Sequence, residues 1–285
     1  MSPARADEPG TPITGAGLVR VRLDLAYDGT EFSGWARQPG RRTVEETLAD
    51  ALARVLRLPD PPVLVVAGRT DAGVHATGQV VHADLPQPDC DSLTRRLRGL
   101  LPDDVVVGRV QPAPPGFDAR FSATGRTYRY RVCDGAPDPL RRHDTVAWPR
   151  PLDCDAMHGS AQGLVGEHDF AAYCRRRDGA TTIRHLRRLD VARDDVVVIT
   201  AEADAFCHNQ VRAMVGALLA VGDGRRPVAW PAQVMRAGVR DSAVTVAPPH
   251  GLTLVAVAYP PDDQLAQRAR EARRVRQLPT TQPVS

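Results

Sequence analysis

The stretch GRTDAG, Gly68 to Gly73, places an arginine and a carboxylate between two glycines. Aspartate and glycine are ordinary turn formers, so a plain connector would read much the same. The pair Arg69 and Asp71 could also do chemistry. A neighbouring cation keeps a carboxylate ionised, and an ionised carboxylate can serve as nucleophile or general base. A second cation is available from far along the chain. In CHNQVRAMVGALLAVG, Arg212 lies beside an apolar helical stripe of Val211, Val215, Leu218 and Leu219. Such an arginine either snorkels to solvent or faces a cleft, and in a cleft it needs a carboxylate partner. Asp71 is the candidate for that partner.

Other residues extend or compete with this site. TYRYRV puts Tyr128 and Tyr130 on one face of a strand and Arg129 and Arg131 on the other. The tyrosines fit a core equally well as a platform for stacking unpaired bases, and periodicity leaves both readings open. Arg126, at the head of that strand, and His75, just past the loop, join Tyr128 and Arg69 as candidate substrate-binding residues. Asp71, His75, His82 and Asp84 are individually acceptable zinc ligands. They follow no HExxH pattern and span a loop and a strand without set geometry, so no metal is expected. AGRTDAG lacks the GK[ST] ending of a phosphate-cradling loop. No Ser-His-Asp or Cys-His spacing stands out.

The elements that must hold these residues can be read from periodicity. LVRVRLDLAYDG alternates as a half-buried strand, and TVEETLADALARVLRL follows as an amphipathic helix with Thr43 and Glu46 placed as a capping box. PVLVVAG and GQVVHADL are strands on either side of the loop, and CDSLTRRLRGLL is a further helix. The second half repeats the grammar. TYRYRV, RHLRRLDVA, DDVVVITAEA and LTLVAVAYP read as strands, while CDAMHGSAQGLVG, CHNQVRAMVGALLAVG and WPAQVMRAGVR read as helices. The expected class is α+β, with two similar halves, mostly antiparallel sheet and flanking helices. Residues 1–17 read as a disordered leader, 18–113 and 114–262 as the two halves, and 263–285 as a basic, solvated tail.

Composition bounds the partners. The net charge is +3 and all 37 basic residues are arginine, which suits planar, bidentate phosphate contacts. Pairs and runs at Arg41-Arg42, Arg95-Arg96, Arg141-Arg142, Arg175-Arg176-Arg177 and Arg187-Arg188 make a polyanionic partner plausible. The five cysteines are scattered, never in CxxC, and read as free thiols in a reducing compartment. No apolar run matches a membrane span or a signal peptide, so a cytoplasmic protein is the expectation.

Six blocks then resemble one family in order. They are YDGTEFSGWARQPGRRTVEETLADAL, GRTDAGVHATGQVVHAD, FDARFSATGRTYRYRV, LVGEHDFAAYC, CHNQVRAMVGAL and GLTLVAVAYP. Together they resemble the tRNA pseudouridine synthase A family over roughly residues 18–260. The resemblance implies the pseudouridine synthase fold, with a pseudo-twofold pair of α+β halves around a basic cleft, working as a homodimer. It implies isomerisation of uridine to pseudouridine at positions 38–40 of the tRNA anticodon stem-loop, with no cofactor or metal. It places the catalytic aspartate on Asp71, with Arg69, Tyr128 and Arg212 as the other active-site residues. The alternative is a tRNA-binding or chaperone protein on the same scaffold. Two departures stand out: Ala36 where the family often has glutamine, and Asp118 where histidine is common, an acid near the expected RNA path.

Overall fold

The computed structural model describes residues 17–175 and 181–273. The leader through residue 16, together with Arg176, Arg177, Arg274 and Arg276, lies outside them. The first half runs β1 (Leu18–Tyr27), α1 (Val44–Leu56), β2 (Val65–Val66), β3 (His75–Pro86), α2 (Cys90–Leu100) and β4 (Val105–Pro112). The second runs β5 (Gly125–Cys133), β6 (Val146–Ala147), α3 (Cys154–Gln162), β7 (Gly166–Asp169), β8 (Ile183–Arg193), β9 (Val197–Ala203), α4 (Gln210–Gly222), α5 (Trp230–Ala237), β10 (Leu252–Ala258) and α6 (Leu265–Glu271).

All strands belong to one sheet, ordered β4-β1-β3-β10-β5-β9-β8-β7, with β2 added on β3 and β6 on β5. The pairing is antiparallel except at β10–β3 and β5–β6. The architecture is therefore α+β with a mostly antiparallel sheet. The late strand β10 is the seam: Thr253 stands opposite His75 on one side, and Leu252 opposite Tyr130 on the other. Residues 18–113 and 114–262 thus share one sheet. They also share one main apolar core, to which Leu23 and Leu52 contribute from the first half and Met214 and Leu218 from the second.

Local signals explain the helices near the site. Thr43 caps α1 by accepting from the Glu46 N–H, and Arg57 ends the helix at φ 56°, its own N–H returning to Ala53. Leu48 and Leu52 are fully buried on the inner face. Truncating either to alanine would cost about 2–5 kcal/mol. α4 is buried almost all round, and at Gly216 a side chain would collide with the Thr245 carbonyl. Only a glycine allows that approach.

Three expectations need adjustment. VVVGRVQP, not assigned from sequence, forms β4 on the edge of β1. Residues 263–273 are not a solvated tail: α6 buries Leu265 against Phe117, Ala119, Val80 and Ala67. Cys174 and Cys207 are not free thiols but are joined in a disulfide, their Cα atoms 5.8 Å apart. They stand 33 residues apart, and nothing in their spacing announces that the fold brings them together. Among the described residues no helix is long and apolar enough to cross a membrane.

Candidate active site

Residues 67–74 connect β2 to β3, and several polar groups along this loop are tied down. The Ala67 N–H donates to Val80 O at 2.8 Å, and the Ala67 carbonyl accepts from Arg126 Nη2 at 2.7 Å. Gln79, fully buried, donates to the Gly68 carbonyl at 2.8 Å and to the Tyr27 hydroxyl at 3.1 Å. That hydroxyl is then left to donate to Thr70 Oγ1 at 2.8 Å. Burial pushes the Tyr27 pKa up to about 12, so it stays protonated and able to donate. The loop tip closes with Val74 N–H on Asp71 O at 3.1 Å, around Gly73 at φ +75°.

A second segment braces the loop from outside. The Trp35 N–H donates to Thr70 O at 3.0 Å, and the Gly73 N–H to Phe32 O at 3.3 Å. Gly34 sits between them at φ +95°, and a Cβ there would lie 2.9 Å from Thr70 O and 3.1 Å from Ala72 N. The GTEFSGW segment therefore exists to be flush with the loop backbone, a role its composition did not disclose.

The basic side chains around Asp71 come from the far half. His208 Nε2 lies 3.2 Å from Asp71 Oδ1, and Arg212 Nη1 lies 3.7 Å from Oδ2. Asp71 keeps 33% of its side-chain surface, against 22% for His208 and 16% for Arg212, so the carboxylate is the most accessible of the three. Arg212 is further anchored by Nε donating to Ala247 O at 2.7 Å. Burial pulls its pKa down, while Asp71 and then Tyr130 act the other way. Arg69 is exposed on the same loop.

Tyr128 lies under the loop. It is 8% exposed, its ring meets Phe206 edge-on at 5.3 Å between centroids, and its hydroxyl approaches Gly68. Burial foremost, then Tyr27, pushes its pKa well above the ordinary 10; Arg126 opposes this and the charge on Asp71 adds to it. Tyr130 is wholly buried and donates to Pro248 O at 2.8 Å, so it belongs to the core.

Arg126 and His75, candidates for substrate contact, are placed as braces. Arg126 is buried and donates to the carbonyls of Ala67, Arg120 and Asp204 at 2.7–2.8 Å. His75 is buried, its Nδ1 accepting from the Gly29 N–H at 3.0 Å and its Nε2 donating to His250 O at 2.9 Å. Both engage backbone groups, since a buried carbonyl or amide left unpaired is costly, and His75 Nδ1 also lies 3.1 Å from Asp28 Oδ1. His82 likewise accepts from the Ala119 N–H at 2.9 Å, and so is turned to backbone rather than to Asp71.

Several arginines of the sequence clusters are locally committed. Arg42 pairs with Asp104 at 2.6 Å, Arg96 donates to Val55 O at 2.6 Å, and Arg187 donates to Thr124 O at 2.8 Å. Arg141 pairs with Asp195, and Arg188 with Asp190. Asp118, the acidic departure, accepts from the N–H groups of Arg120 and Phe121 at 2.9 and 2.8 Å. It is a turn-capping carboxylate rather than a bare negative charge.

A family model described as tRNA pseudouridine synthase matches residues 160–260, the segment that carries His208 and Arg212 but not Asp71. The tRNA pseudouridine synthase A of Frankia casuarinae is 64% identical over 269 residues, covering 93% of this chain and 98% of that protein. That of Streptomyces griseus subsp. griseus is 59% identical over 272 residues, covering 92% and 96%. That of Mycobacterium leprae is 50% identical over 271 residues, covering 88% and 93%.

Proposed function

The chain belongs to the tRNA pseudouridine synthase A family, isomerases that convert uridine in tRNA to pseudouridine, and from that premise we propose Asp71 as its reactive carboxylate. We propose the uridines at positions 38–40 of the anticodon stem-loop as its targets. The observation that carries the site is an accessible carboxylate on a clamped loop, facing a histidine from the turn before α4 and an arginine from α4 itself.

The reaction constrains what the protein must do. The uracil leaves C1′ of its ribose, turns, and rejoins through C5, with a proton lost from C5 and one gained at nitrogen. Nothing is oxidised overall, so a carboxylate and a fixed electrostatic frame suffice. Asp71 acts as nucleophile at C1′ or C6, or as base at C2′. Arg212 sets a positive charge beside it in a partly buried site, and the braced loop keeps it in place before substrate arrives. Burial opposes the phenolate that a base at C5 would need, so Tyr128 serves as an aromatic face for the uracil. A base stacked in a stem must first be extruded, with arginines gripping the flanking phosphates and Arg69 exposed beside the loop for such contact. A homodimer in the cytoplasm is the assembly this reading takes from the family resemblance.

The test is incubation of purified protein with unmodified tRNA, mapping pseudouridine at base resolution beside the Asp71→Ala variant. Pseudouridine should appear at positions 38–40 with the native protein and vanish with the variant, while tRNA binding persists. Substantial turnover by Asp71→Ala would sink the assignment of Asp71.

A further inference from the structure

We propose that His208 is a positioning residue for the reaction, holding the Asp71 carboxylate in its reactive orientation through Nε2. This rests on Asp71 being the reactive group. The two basic side chains divide the carboxylate between them: His208 Nε2 is 3.2 Å from Oδ1, and Arg212 Nη1 is 3.7 Å from Oδ2. The arginine is the longer contact, because its Nε is already given to the Ala247 carbonyl at 2.7 Å and Nη1 also lies 3.5 Å from Asn209 Oδ1. Arg212 therefore supplies charge, and the shorter contact, the one that can fix the carboxylate's rotation, falls to the imidazole.

Among the described residues, buried Nδ1 of His208 has no hydrogen-bond partner, so the polar contact the ring makes is the one between Nε2 and Asp71.

The backbone around His208 is locked as a positioning residue requires. Its carbonyl accepts from the Arg175 N–H at 3.1 Å. Cys207, immediately before it, is bonded to Cys174, and its N–H donates to Gln210 Oε1 at 3.0 Å. Gln210 is fully buried, and its own N–H returns to Cys207 O at 3.0 Å. Asn209, at φ 65°, turns the chain so that His208 and the first turn of α4 reach the same carboxylate.

Steady-state kinetics on unmodified tRNA with His208→Leu, His208→Asn and His208→Gln test this. Glutamine can set an N–H near the Nε2 position, whereas asparagine is too short and leucine has no donor. His208→Leu and His208→Asn should lower kcat on the order of 10- to 100-fold, the size of one hydrogen bond to a charged group. KM should stay within about twofold, since RNA contacts are untouched. His208→Gln should restore kcat to within a few-fold of the native value. Native kcat in both loss variants, a rise in KM alone, or equal damage from all three substitutions would overturn the proposal. Asp71→Asn runs alongside: if it stays active, the reading of Asp71 itself has failed, whereas an inactive Asp71→Asn with unimpaired His208 variants defeats only this inference.

Discussion

Acid should weaken the fold through His82, and replacing that residue by asparagine should remove the effect. His82 on β3 is 4% exposed and its Nδ1 accepts from the Ala119 N–H at 2.9 Å. Burial foremost, then the Arg20 charge, lowers its pKa from 6.5 to about 4, while Asp118 and Asp84 pull the other way. Above pH 6.5 both folded and unfolded chains hold it neutral. As the pH falls through that value, the unfolded chain takes up a proton that the folded chain refuses until about pH 4, so stability drops across this window. A gap of about 2.5 units, at roughly 1.4 kcal/mol each, caps the loss near 3.5 kcal/mol. The linkage relation places about 1.4 kcal/mol of it near pH 5.5 and about 2.5 kcal/mol near pH 4.5. Urea unfolding followed by tryptophan fluorescence, for the native protein and His82→Asn, measures the difference directly. Asparagine Oδ1 can replace Nδ1 as the acceptor for Ala119, and every other titrating group is common to both proteins. The two stability curves should converge or cross toward acid; parallel curves would refute the account of His82. The effect reaches the site, because the next residue, Arg120, gives its carbonyl to Arg126, which holds Ala67 at the root of the loop.

Three further outcomes follow from the braces around the loop and from the charge. Gly34→Ala forces a side chain into φ +95° and against Thr70 and Ala72, so it should cost about 1–3 kcal/mol by thermal unfolding and reduce kcat even where the protein remains folded. Arg126→Met leaves three carbonyls without their donor and should destabilise by about 2–4 kcal/mol in urea; kcat falls and KM for tRNA holds, whereas a direct substrate contact would raise KM. Because phosphate contacts release counterions, kcat/KM should fall at least about tenfold between roughly 50 and 200 mM salt, checked by initial rates across a salt series.

Much of the site was legible because its signals are local. Thr43 and Glu46 mark the start of α1, alternation marks β1 and β5, and the charged turn GRTDAG announces itself between two strands. The placement of Arg212 followed from a chemical need, since a half-buried cation requires a carboxylate, and the structure sets it 3.7 Å from Asp71. What escaped notice depends on tertiary approach. His208 sits in the irregular turn before α4, where no periodicity points, and its meaning comes from a carboxylate in the other half of the chain. Gly34 looks like any turn glycine until the loop backbone is laid against it. Arg126 and His75 were read as substrate-binding candidates, but sequence cannot tell a side chain that serves a ligand from one that serves neighbouring backbone groups.

The seam strand β10 has a consequence for how the chain is made. Synthesis runs from the N-terminus, so β1, β3 and β4 emerge and can pair long before residues 252–258 exist. Until then β3 has an open edge at the very place where His75 and Ala76 await Thr253 and Leu254, and β5 lacks its neighbour on the same side. Closing that gap joins residues 75 and 253, one of the longest contacts in the sheet, and such distant pairings form late and slowly. The loop that carries Asp71 is therefore encoded early, while the strand that closes the sheet beside it arrives last. A chain cut short before Leu252 would carry Asp71 and both its partners in its sequence, yet present two bare strand edges in the middle of the molecule, an invitation to aggregate rather than to act.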